Sequence, residues 1–103
     1  MEWTNTLKDY KRYLEFERNL TKNSIGAYLS DVHKLQVFCE DHDLTLQTLT
    51  TAHIQDFLRW LNGFSISPSS QARLISSLKA FFNFLQLEYD VTTNPAELIE
   101  TPR

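Results

Sequence analysis

Residues able to do acid–base, nucleophilic or metal chemistry are few in this chain and scattered along it. The one cysteine, Cys39, has His42 three residues on, but no second Cys/His pair completes a zinc site. His33 falls on the polar side of its segment and His53 at a helix start, positions that suit surface residues. Asp31, Asp41 and Asp43 come nearest to paired carboxylates, yet two of them sit at a helix end, where solvation accounts for them. With two glycines in the chain, no glycine-rich phosphate loop exists. No nucleophile, base and orienting group come together, so the expectation is no catalytic residue, no metal and no cofactor. What remains is chemistry of binding rather than of bond-making. Lys22, Asn23, Ser24, Ala27, Ser30 and Lys34 form one run of short or cationic side chains. Ser69, Ser70, Arg73, Ser76, Ser77 and Lys79 form another.

Both runs must be held by helices. In Ser67–Leu87, Ser67 suits an N-cap and Pro68 the first helical position, where no N–H is needed. Leu74, Ile75, Leu78, Phe81, Phe82 and Leu85 then make one apolar stripe, with Ser69, Arg73, Ser76, Ala80 and Asn83 opposite. Phe84 falls off that stripe, which suggests a partner or a neighbouring protomer as its contact. Upstream, Ile25, Tyr28, Leu29, Val32, Leu35 and Cys39 hold the helical period through four turns, capped by Thr21 or Asn23. Gly26 inside that helix costs up to about 1 kcal/mol against Ala, so either a close neighbour or a tolerated defect explains it. Trp3–Arg18 is amphipathic through Trp3, Leu7, Tyr10 and Leu14, with a heavily charged, solvent-facing side. Ala52–Leu61, capped by Thr50 or Thr51 and stopped by Asn62 and Gly63, buries Ile54, Phe57, Leu58 and Leu61. Asn94 and Pro95 start a short helical turn, with Glu97 placed to reach back to Asn94. The fold class expected is all-α: a compact bundle of four main helices plus a short C-terminal helical turn. Its core includes Leu14, Tyr28, Val32, Leu35, Phe57, Leu61, Ile75, Leu78 and Phe82.

A chain of 103 residues is expected to form one domain with a modest core of its own. The lone Cys39 excludes an internal disulfide and points to a reducing, cytoplasmic setting. No apolar run reaches the length of a membrane span, and the opening residues carry no expectation of a signal peptide. The formal net charge of −3 argues against a free-standing nucleic-acid binder, since phosphate neutralisation calls for a basic surface.

Three stretches resemble the N-terminal core-binding, or SAM-like, domain of tyrosine recombinases and phage integrases. YLEFERNLTKNSIGAYLSDVHKLQVFCED is similar to the family's first helix, polar cap and Thr/Ser-x-x-x-Tyr-x-x-Asp segment, here Ser24, Tyr28 and Asp31. SSQARLISSLKAFFNFL is similar to its fourth helix, with an Arg, Leu, Ser and paired-aromatic run. NPAELIETPR resembles the Asn-Pro element followed by Pro102 and the basic Arg103. Xer-type and integrase branches both fit. The resemblance implies half of a C-shaped clamp on double-stranded DNA, with two helices toward the major groove and other recombinase protomers as partners. The tyrosine nucleophile and its Arg, Lys and His partners would lie in a catalytic domain after Arg103, and Tyr28 reads as core rather than as that nucleophile. The isolated fragment is expected to be monomeric.

On this reading the two small-residue faces lie side by side as one DNA surface, away from most acidic residues. Lys22, Asn23 and Ser24 open one helix, and Ser69, Ser70 and Gln71 open the other, presenting free amides to phosphate. Arg73 and Lys79 would reach phosphate or a guanine edge, and Asn83 an adenine. Arg73→Ala or Lys79→Ala is then expected to weaken DNA binding without altering the melting temperature. A protein-interaction domain without DNA binding is the alternative.

Overall fold

The computed structural model describes residues 1–101, so Pro102 and Arg103, the expected Pro-basic close of the Asn-Pro element, lie outside the described residues. The protein is all-α. Helix α1 spans Trp3–Phe16, α2 Lys22–Asp41, α3 Thr51–Asn62 and α4 Pro68–Glu88, with one 3-10 turn, Leu46–Thr48, between α2 and α3. Among the described residues there is no strand, and no helix is long and apolar enough to cross a membrane.

Local chemistry sets the boundaries. Thr21 Oγ1 accepts from the Ser24 amide at 3.2 Å, and Ser67 Oγ accepts from the Ser70 amide at 3.2 Å. At α3 the cap is reciprocal: Thr50 Oγ1 accepts from the His53 amide, and the Thr50 amide donates to His53 Nδ1 at 3.1 Å. His53 therefore works as a capping residue, a role its position in the first turn does not advertise. Each helix is followed within a few residues by one left-handed residue: Asn19, Asp43, Ser65 and Asp90. Three of the four are Asn or Asp, which tolerate that region better than other side-chain-bearing residues. After α2 the Leu44 amide reaches the Cys39 carbonyl at 2.9 Å across Asp43, closing the helix end.

The core forms around α4, which packs on α1 and α2 and buries Leu74, Ile75, Leu78, Phe81, Phe82, Phe84 and Leu85. Tyr10 of α1 meets Phe81 edge-on and Phe84 tilted, both with centroids 5.1 Å apart. On the other side Phe38 of α2 meets Phe57 of α3 at 5.4 Å. Eight of the nine expected core residues are buried; Tyr28 is the exception, half-buried at the edge of the cluster. Phe84 corrects the expectation of a partner contact. It is 2% exposed and touches Tyr10, Tyr13 and Tyr89. The physical reason is that α4 is covered from several sides, so its buried arc is wider than one stripe.

The short C-terminal helical turn is present as two overlapping turns, Glu97 N–H to Asn94 O and Ile99 N–H to Ala96 O, both 3.1 Å. Asn94 Oδ1 accepts from the Ala96 amide at 3.0 Å, while Asn94 Nδ2 donates to the Lys79 carbonyl at 3.3 Å, pinning this segment to α4. Glu97 reaches back to Asn94 through its amide, whereas the sequence suggests its side chain.

Candidate nucleic-acid interface

Asp31 lies on the apolar side of α2, three residues after Tyr28 and four before Leu35, and only 1% of its side chain is exposed. A carboxylate there must be partnered, because an unpaired buried charge is costly. Its partners come from α4. Arg73 Nε and Nη2 donate to the two carboxylate oxygens at 3.0 and 2.9 Å, and the Ser77 hydroxyl donates at 2.8 Å. Arg73 and Ser77 are one turn apart on α4, so one carboxylate reaches both. The bond to Asp31 raises the Arg73 guanidinium above its ordinary value. From α2 itself, Lys34 Nζ approaches Asp31 at 3.6 Å and donates to Ser30 Oγ at 3.2 Å.

This cluster ties α2 to α4 through Asp31, Arg73 and Ser77. A cavity of about 290 Å³ beside it is lined by Lys34, Ser67, Ser70 and Arg73, along with Asp31 and Leu74. At about 100° per residue, Asn23, Ala27, Ser30 and Lys34 share an arc of about 60° on α2. Ser69, Arg73 and Ser76 are exposed on α4.

Other expected members are placed differently. Ser77 is fully buried, so it leaves the exposed face; its hydroxyl belongs to Asp31 because α4 turns that edge toward α2. Lys22 lines a separate groove between α1 and α2 with Lys11, Ile25, Gly26 and Leu29. Lys79 lines another with Ala80, Asn83, Asn94 and the acidic Glu97. The Ser24 and Ser70 amides are taken by the Thr21 and Ser67 caps, so they are not free to meet phosphate. An acid also sits directly beneath the face. Arg73→Ala would strand the buried Asp31 carboxylate, so the expected unchanged melting temperature is replaced by a lowered one. The signal that could have revealed Asp31 was a charge set inside an apolar stripe opposite an Arg and a Ser four residues apart.

Residues 7–88 match the family model described as the phage integrase N-terminal SAM-like domain. The chain belongs to that family. Among proteins similar to this SAM-like domain is a tyrosine recombinase of Pseudothermotoga lettingae, 33% identical over 99 residues, covering 94% of this chain and 35% of that protein. Tyrosine recombinase XerD of Chlorobaculum tepidum is 32% identical over 101 residues, covering 98% of this chain and 33% of the relative. Tyrosine recombinase XerC of Syntrophus aciditrophicus is 30% identical over 105 residues, covering 94% and 34%. The domain thus spans about a third of the length of these relatives. No solved structure gives a significant match.

Proposed function

We propose that this chain is the core-binding domain of a cytoplasmic site-specific tyrosine recombinase, and that it grips double-stranded DNA while a separate domain performs strand exchange. The observation that carries the reading is the family match across residues 7–88. The tie between α2 and α4 through Asp31 adds support, because it holds the two helices of the proposed surface against each other. Asn23 and Lys34 stand about 16 Å apart along α2 at 1.5 Å per residue. That span exceeds the roughly 12 Å width of a major groove, so the arc can cross from one phosphate wall toward the other. Ala27 and Ser30 between them are short enough to let the helix approach base edges. The net charge of −3 makes the domain a weak binder by itself, and the rest of the recombinase supplies most of the affinity.

Cleavage chemistry belongs to that other domain in this reading, so the chain forms no covalent complex with nicked DNA. The exposed Phe16 and Leu98, 78% and 82% accessible, favour protein contacts beside the DNA role, and other recombinase protomers are the natural partners. Without the DNA role they support the alternative, a helical protein-interaction domain.

A salt titration of duplex binding tests the reading. Lys34→Ala and Lys79→Ala should each lower the slope of log affinity against log salt by about 0.9 for every phosphate left without its cation. Melting temperatures should stay within a degree or so of wild type. Unchanged slopes for both variants would remove the lysines from the site and favour the protein-interaction alternative.

A further inference from the structure

Two cations and one carboxylate meet at the α2–α4 junction, and they are not equivalent. Arg73 presents its side edge to Asp31, using Nε and Nη2 at 3.0 and 2.9 Å. A guanidinium engaged through that fork is held in plane and direction, and only its Nη1 edge and one Nη2 hydrogen stay unbound by the carboxylate. The carboxylate cannot turn away, because Ser77 donates to the same oxygen as Nε and the group is 1% exposed. Lys34 is different. Its Nζ lies 3.6 Å from Asp31, outside ordinary hydrogen-bond range, and its second contact is an exposed Ser30 hydroxyl. Arg73 is 48% exposed and keeps those donors, but its charge is offset by the carboxylate it forks, and it cannot swing away without stranding that buried anion, whereas an ammonium on a flexible stem can swing out to a phosphate.

We infer that Asp31 is a positioning residue that masks Arg73: it holds Arg73 as a strut between α2 and α4, so Lys34 is the phosphate-binding cation of the cluster. The inference rests on the DNA-binding reading above. It reverses the naive ranking, in which an arginine on the proposed face would be the strongest phosphate ligand.

The test compares salt slopes for duplex binding by this 103-residue chain at low salt with melting temperatures of the same variants. Lys34→Met should lower the slope by about 0.9 and leave melting unchanged. Arg73→Gln, which keeps a donor toward Asp31 but no charge, should lower melting and leave the slope unchanged. Asp31→Asn should lower melting yet raise the slope by about 0.9, because the freed guanidinium can now meet phosphate. Asp31→Asn combined with Arg73→Gln should lose that rise. A purely structural Asp31 would lower melting without raising the slope, and that result would overturn the masking. So would a slope lowered by Arg73→Gln alone, which remains readable if Asp31→Asn fails to fold.

If wild type does not bind duplex at low salt, the DNA-binding reading itself fails. The strut is then judged by nuclear magnetic resonance of the Arg73 Nε–H. Exchange far slower than in a free arginine upholds it, and exchange at the free rate overturns it.

Discussion

At the scale of single residues, Gly26 shows how an apparent defect can be read. A Cβ added there meets nothing within 4 Å, so no neighbour in the described structure requires the glycine. Gly26→Ala should therefore stabilise the domain by about 0.5–1 kcal/mol. Urea unfolding checks this, and a loss of stability would mean that the helix needs the glycine. Cys39 gives a prediction of opposite character. Burial, with a smaller contribution from Glu40, pushes its thiol up from 9.0 to about 11. A raised folded-state value favours the neutral thiol in the native protein. Its contribution is present in full below about pH 9 and is lost as pH rises toward 11. Melting temperature should therefore fall between pH 9 and 10, and less steeply in Cys39→Ala; equal slopes would contradict the burial argument.

At the scale of elements, the helices and their caps were legible because they depend on neighbours a few residues apart. Thr21, Thr50 and Ser67 act where their hydroxyls suggest. What periodicity does not carry is how many sides of a helix are covered. Ser77 and Phe84 make the point together. They are seven residues apart, on the same edge of α4, and periodicity places both outside, one as polar and one as off the stripe. Both are buried. The wider arc comes from α1 and α2 closing on that edge, which is a tertiary fact, and the same closure brings Asp31 to Arg73. Phe84→Ala should then cost about 3–5 kcal/mol in an unfolding titration, as for a large aromatic removed from a core. A cost below about 1 kcal/mol, together with loss of a binding partner, would return Phe84 to an interface role.

At the scale of the whole molecule, the family and the all-α architecture were readable from three motifs and the helical periods. The surface was only partly readable. The total charge of −3 says little about a face whose acid, Asp31, is buried and neutralised by its own neighbours. Lys22, Lys34 and Lys79 fall in three different recesses, so the proposed DNA surface is a narrow α2–α4 patch with outlying cations rather than one continuous field. Amide chemical-shift mapping of the isotope-labelled chain against a DNA duplex tests this most directly. The account predicts salt-sensitive shifts clustered at Asn23, Ala27, Ser30 and Lys34 on α2 and at Ser69, Arg73 and Ser76 on α4. Shifts confined to α1 and α3, or none at low salt, would contradict it.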